Sequence, residues 1–416
     1  MNSTAVPVFR LTPLNRLMVA KAMRGFGDGF VSLLLPVYLL NLGLSAFQVG
    51  LIATTTLLGS GVLTLLIGLH ASRFDHRPLL LAASALMALT GLGFASLDSF
   101  WPLMLVALVG TLNPSGGDVS IFMPVEHAML AGHAQGPSRT AVFARYSLTG
   151  TLFAAFGSLA AALPALAAPV AGITTQTAIQ GMFILYALLA LVMAGLYRGL
   201  PSRPAEQAAE PVSALGPSKK RVYLLATLFS LDAFGGGFVV QSLVALWLYQ
   251  RFGLSIEVAG SIFFWAGLLT AFSYLAAAHI ASRIGLVKTM VYTHLPSSLC
   301  LIAIPFCADL TYAVILLLVR SALSQMDVPT RSSYVMAIVT PQERAAAASV
   351  TSVPRSLAAA ASPALAGYLL GMSAFGWPLI VGGALKIVYD ILLLTMFSRV
   401  QPPEELPGAE HPAKTG

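Results

Sequence analysis

Charge is what this chain lacks. Asp, Glu, Lys and Arg together make up 9% of its 416 residues, where soluble domains carry about 25%. Hydrophobic residues make up 57%, more than one soluble core hides, so lipid is the solvent for most of the chain. Cysteine is nearly absent. Cys300 and Cys307 lie in or beside an apolar segment, which argues against a disulfide framework or a zinc site. No Gly-x-x-x-x-Gly-Lys-Ser/Thr run is present, so ATP is not the energy source by that route. Neither His-Glu-x-x-His nor Gly-x-Ser-x-Gly occurs, so nothing points to an intramembrane enzyme, a metal or a cofactor. The formal net charge is +7, but the cations sit in short loops between apolar segments. There they set membrane orientation and do not indicate nucleic acid as a partner. No cleavable signal peptide is evident, because residues 1–16 are polar and basic and the next segment is long enough to span.

What is there is a series of long apolar segments. Twelve reach or approach the ~20 residues that cross the hydrocarbon: 17–40, 47–70, 79–97, 101–130, 139–163, 177–197, 222–249, 256–280, 286–307, 311–339, 344–371 and 376–398. Lipid leaves backbone groups unsatisfied unless they bond within the segment, so these are helices. The expected class is an all-α integral membrane protein of two six-helix bundles. Residues 1–200 form the first bundle, 201–220 a linker, 221–400 the second bundle and 401–416 a disordered tail. One side of the membrane carries Arg73, Arg77, Arg139, Arg198, Lys219, Lys220, Arg221, Arg283, Lys288, Arg344 and Arg399. Positive loops face the cytoplasm, so both termini are expected there.

The two bundles repeat each other. Ala71-Ser72-Arg73 recurs as Ala281-Ser282-Arg283, Gly43-Leu44-Ser45 as Gly253-Leu254-Ser255, and Gly50 as Gly260, each 210 positions on. Gly29-Phe30-Val31 recurs as Gly237-Phe238-Val239, with a slip of two. A parallel duplication in an apolar chain points to a transporter built from two halves around a central path. Charges inside the spans are few, costly and therefore informative, at about 2.5–3.5 kcal/mol each near the bilayer centre. The carboxylates are Asp28, Asp118, Glu126, Asp232, Asp327 and Asp390, and the cations Arg24, Arg145, Arg320, Arg331, Arg355 and Lys386. Arg24 and Asp28 are four apart and can pair along one helix face; a local ion pair and a transport role both fit. Asp327 has Arg331 four residues on, and Arg355 is expected at similar depth on the next helix. Glu126 and Arg145 flank one turn at similar depth and read as a structural pair, and so do Lys386 and Asp390 at i,i+4. Asp118 has no cation at i±3 or i±4. A carboxylate without a counter-ion in a low dielectric exchanges protons readily, which singles out Asp118; Asp28, near the middle of its helix, and Asp327, the repeat counterpart of Asp118 (327 − 118 = 209), join it as the proton-coupling candidates. An ordinary solvated cavity residue is the other reading of Asp118.

Six plus six spans, a basic linker and the repeated loop resemble the major facilitator superfamily. The resemblance covers nearly the whole chain. The family's helix 2–3 signature is Gly-x-Leu-Ala-Asp-Arg-x-Gly-Arg-Arg, and Gly68, Ala71, Arg73 and Arg77 match it. Ser72 stands where the family has Asp, with Asp75 as a substitute carboxylate. The resemblance implies that helices 1, 4, 7 and 10 line the cavity and that helices 1 and 7 face each other. Arg24 and Asp232, 208 apart, are then candidates for a bridge that closes the cytoplasmic side, and Glu126, Arg145, Arg331 and Arg355 are further gating candidates. Phe26, Phe30, Phe234, Phe238 and Gln241 are candidates for the cavity wall. The implied function is secondary transport of a small organic solute across a bacterial inner membrane, by a monomer. Proton-coupled efflux is the leading expectation, uptake by symport or uniport the alternative, and a non-transporting sensor a third reading. The antiporter pattern of helix 5 is reduced to Gly150 and Gly157, and helix 4 lacks the Arg of many proton-coupled members.

Overall fold

The computed structural model describes residues 11–70, 75–115, 121–133, 137–201, 215–340, 343–398 and 400, with side chains at 68–70, 131–133, 137–141, 278 and 345 left aside. Its described residues are overwhelmingly helical. The first half holds α1 (Pro13–Asn41), α2 (Ala46–His70), α3 (His76–Ser96), α4 (Phe100–Val109), α5 (Met123–His133), α6 (Pro137–Ala160), α7 (Leu163–Ala171) and α8 (Thr175–Arg198). The second holds α9 (Lys219–Gly237), α10 (Gln241–Phe252), α11 (Ile256–Ile284), α12 (Leu286–Ala303), α13 (Leu310–Leu323), α14 (Asp327–Ala337), α15 (Arg344–Met372) and α16 (Trp377–Phe397). The chain is an all-α multi-pass membrane protein. Among the described residues, ten helical stretches are long and apolar enough to cross a membrane.

Three expected spans are interrupted. The fourth breaks at Gly110, whose backbone is extended at ψ −178°, and resumes at α5. The seventh breaks after Gly235-Gly236-Gly237, between α9 and α10. The tenth breaks at residues 324–326, between α13 and α14. Non-helical backbone at membrane depth is tolerated only where protein covers it. The seventh break is covered: its residues Phe238, Val239 and Val240 are buried. Ser242 N, just past the break, donates to Pro114 O in the fourth pass at 3.1 Å.

The repeated Gly-Leu-Ser is explained by local geometry. Gly43 and Gly253 both have positive φ, 82° and 62°, the left-handed geometry that ends a helix and that glycine adopts without strain. Two residues later, Ser45 Oγ accepts from Gln48 N at 3.3 Å, and Ser255 Oγ from Val258 N at 3.4 Å. Each serine caps the next helix. Gly50 and Gly260, one turn into those helices, permit close approach of the halves. A methyl on Gly50 would lie 2.5 Å from Pro363 O, and one on Gly260 2.7 Å from Ser158 O. α2 thus runs against α15, and α11 against α6. Thr54 Oγ1 accepts from Ala364 N at 2.9 Å, and Phe156 meets Phe264 at 5.5 Å. These seams lie at mid-depth and toward the end away from the basic loops. There Leu33 and Val37 of α1 also meet Ala245 and Tyr249 of α10 around a small pocket.

α1 is the most enclosed helix. Of its most apolar stretch 83% is buried, against 33% for α16. It packs on α6 and α8 within the first half. In the second half α9 packs on α15 and α16, and α16 on α12.

Candidate functional site

Among the described residues, each half holds a buried cluster of charge. In the first, Arg24 of α1 meets Glu126 of α5 at 2.7 Å, with side chains 4% and 0% exposed. Two tyrosines complete it. Arg24 donates to Tyr146 Oη at 2.8 Å, Tyr146 Oη donates in turn to Glu126 Oε2, and Tyr197 Oη of α8 donates to Glu126 Oε1 at 2.7 Å. The guanidinium lies over the Phe122 ring at 4.8 Å, and Lys21 over Tyr146 at 4.9 Å. Both Glu126 oxygens are engaged, as a carboxylate withdrawn from water requires.

In the second cluster Asp232 of α9 is the hub. Its Oδ1 accepts from Lys386 Nζ of α16 at 2.7 Å, and its Oδ2 from Arg331 of α14 at 3.2 Å. Arg331 also meets Asp327, one turn earlier, at 3.1 Å. His294 of α12 places Nε2 3.6 Å from Asp232 Oδ1. Its Nδ1 lies 2.9 and 3.1 Å from the two oxygens of Asp390. Arg355 lies within electrostatic range of Arg331, Asp232, Asp327 and Tyr389. It shares a face of α15 with Ala359 and Ser362, which pack on Gly237.

Several expected pairings are replaced. Arg24 turns to Glu126 rather than to Asp28 or Asp232, and Asp232 is held within its own half. Arg145 does not pair with Glu126. It is exposed, while its neighbour Tyr146 is buried. Equal depth on two helices fixes height but not azimuth, and successive helix residues point about 100° apart. Lys386 and Asp390 lie one turn apart but do not pair with each other: Lys386 donates to Asp232, and both reach His294, at opposite edges of its ring. Asp327 finds Arg331 in preference to Arg355. Asp28 is buried on α1, within electrostatic range of Tyr186. Asp118 and Arg73 fall outside the described residues, and Gly68 lies in α2. Asp75 caps α3, its Oδ1 accepting from Arg77 N at 3.2 Å. Phe26 and Phe30 form an edge-to-face pair at 5.6 Å, matched by Phe234 and Phe238 at 5.4 Å. Phe26 and Phe234 are the less buried member of each. Gln241, at the start of α10, donates to Ser158 Oγ across the halves at 3.3 Å.

Sequence reasoning missed Tyr146, Tyr197 and His294. The tyrosines carry no charge and look like ordinary apolar ballast. His294 had a usable signal, an ionisable side chain deep inside a span. Among the described residues no group of three His, Cys, Asp or Glu is placed to hold a metal ion.

Outside the spans, Glu343 ties the linker down. Its Oε1 accepts from Gly216 N at 2.6 Å and Ser218 N at 3.3 Å, and its Oε2 from Thr340 Oγ1 at 2.8 Å. Burial pushes this carboxyl up, but the hydrogen bonds from Thr340, Ser218 and Gly216 outweigh it and hold it down at about 2.

Comparison with known proteins agrees with this architecture. The family model described as Major Facilitator Superfamily matches residues 17–324 and 222–415. An uncharacterized membrane protein of Saccharomyces cerevisiae is 24% identical over 412 residues, covering 90% of this chain and 92% of its own. Among solved structures, the nucleoside transporter NupG superposes with a TM-score of 0.71 at 12% identity, over 93% of this chain and 99% of that one. A D-xylose-proton symporter gives 0.70 at 14%, over 92% and 97%. The fold is that of membrane transporters rather than of enzymes. Two helical halves, each with a charge cluster sealed inside it, are the build of a solute carrier, and the chain belongs to the Major Facilitator Superfamily.

Proposed function

We propose that the protein moves a small organic solute across the membrane by alternating access, and that protons drive it. The observation that carries the reading is the Asp232 cluster. A carboxylate buried on a pass broken at mid-depth is held by Lys386 and Arg331, and an intramembrane ionisable group is costly unless it is used. Asp28 and Asp327 stand with it as proton-coupling groups, and so does Asp118 by its place in the sequence. The phenylalanine pairs Phe26/Phe30 and Phe234/Phe238, with Gln241, form the wall that meets the solute. An apolar, aromatic wall suits a fairly hydrophobic solute, and export in exchange for protons follows as the direction of transport. The basic-loop side is cytoplasmic, the membrane is a bacterial plasma membrane, and the working unit is the monomer. Uptake by symport is the second reading, favoured by the likeness to the D-xylose-proton symporter.

The test begins with a melting-temperature screen of the purified protein against nucleosides, sugars and lipophilic organic cations. Any stabilising compound is then taken into proteoliposomes. Labelled-solute counterflow is expected, and its absence for every stabilising compound favours a non-transporting sensor. Lumenal pH then separates the directions. Solute moving against protons changes lumenal pH oppositely to solute moving with them, and no change at all sinks proton coupling.

A further inference from the structure

Proton coupling, as proposed above, needs a group that changes charge in the physiological range, and the Asp232 cluster holds a histidine beside its carboxylates. Imidazole is the side chain whose charge changes between about pH 5 and 8. His294 is 3% exposed and sits between two carboxylates and an ammonium. Its partners fix the neutral tautomer. Nδ1 faces both oxygens of Asp390 at 2.9 and 3.1 Å, and a carboxylate only accepts, so Nδ1 carries the hydrogen. Nε2 lies 3.4 Å from Lys386 Nζ, and an ammonium only donates, so Nε2 offers its lone pair. The same Lys386 nitrogen donates to Asp232 Oδ1 at 2.7 Å, and that oxygen is 3.6 Å from Nε2. Histidine, lysine and aspartate thus form a closed triangle.

We propose that His294 Nε2 is a proton-binding site whose occupancy decides which cation holds Asp232. One proton added to Nε2 breaks no covalent bond. It removes the lone pair that accepts from Lys386 and sets an N–H⁺ against the ammonium at 3.4 Å. Lys386 is driven off, and the imidazolium takes over Asp232 Oδ1. Loss of the proton reverses the exchange. Lys386 has somewhere to go. Its side chain is 12% exposed, against 3–5% for His294 and Asp232, and a methyl built on Gly236 would meet only Lys386. The other charged or titratable groups around the triangle are Tyr389 on α16, Arg331 and Asp327 on α14, Arg355 on α15, within electrostatic range of Asp232, and Arg320 on α13, whose backbone carbonyl accepts from Ser297. α11 carries Glu257 and the exposed His279 and Arg283 toward its ends, with Tyr274 between. The site lies on α9, α12 and α16.

The test needs no solute. Melting temperature of the full-length protein in detergent is followed from about pH 5 to 8 for the wild type, His294→Gln, Lys386→Gln and the control His279→Gln. A step is expected in the wild type and the control and is lost in His294→Gln. In Lys386→Gln the step moves to higher pH, because removing a neighbouring cation eases protonation. That shift also serves if His294→Gln fails to fold. A wild type without a step, a step that survives His294→Gln, or a Lys386→Gln midpoint that stays put or falls overturns the site. Counterflow in the wild type fails independently if the transport reading itself is at fault.

Discussion

The two charge clusters occupy equivalent places in the repeat and are wired oppositely. Arg24 corresponds to Asp232 (232 − 24 = 208), Phe122 to Arg331 (331 − 122 = 209) and Tyr146 to Arg355 (355 − 146 = 209). The first half places a cation on its first helix and surrounds the single acid with tyrosine hydroxyls. The second half places an acid there and surrounds it with groups that carry or exchange charge. A carboxylate saturated by arginine and tyrosine has one stable arrangement. One shared among lysine, arginine and histidine has several. Duplication supplied the frame, and divergence at the facing positions made one cluster a rivet and the other a switch.

The largest expected effect tests the rivet. Arg24→Leu or Glu126→Leu alone leaves a buried charge unpaired and is expected to cost about 3–5 kcal/mol, read by denaturant unfolding in detergent. The double variant is expected to cost less than either single one; a larger loss would mean that the pair does more than neutralise itself. In the other half Asp390→Asn is expected to cost less than either single change at the rivet, because the amide oxygen still accepts from His294 Nδ1. Equal losses would erase the contrast. Tyr197→Phe removes a hydrogen bond to a carboxylate and is expected to cost about 1.5–3 kcal/mol. Gly50→Ala places a methyl against Pro363 O. It should weaken the α2–α15 seam by about 1–3 kcal/mol and raise labelling of a cysteine introduced at Thr54. Unchanged labelling would mean that the seam does not close this end. Glu343→Gln has the smallest effect. Glu343 sits at about 2 in the folded chain, against 4.5 ordinarily. Its contribution is therefore present at neutral pH and is lost as pH falls from about 4.5 toward 2. The melting difference between wild type and Glu343→Gln should shrink over that range, and a constant difference removes the linker clasp.

Much of the frame was legible because apolar length and repeated residues report it directly. Gly43 and Gly253 mark helix ends, Ser45 and Ser255 mark helix starts, and their spacing alone set the halves in register. The breaks at Gly110 and after Gly237 fall in stretches rich in Gly, Asn and Pro (Gly110 to Ser115, Gly235 to Gly237), which were read as continuous spans because neighbouring helices can cover freed backbone groups. The site was legible as an inventory but not as a wiring diagram. Arg24, Glu126, Asp232 and Arg331 were all singled out, yet only Asp327 with Arg331 lies close enough in sequence to fix its own geometry. The others meet across roughly 100 positions, where the turn of each helix about its axis decides the partner. That angle comes from packing, and glycines such as Gly25 and Gly29, pressed against α6 backbone, set it.

The closest approaches in the seams between the halves are to main chain: Gly50 against Pro363 O and Gly367, and Gly260 against Ser158 O. Backbone carbonyls are the same whatever residues surround them. At the end away from the basic loops, these contacts that hold the two halves together therefore do not depend on which side chains line the interior.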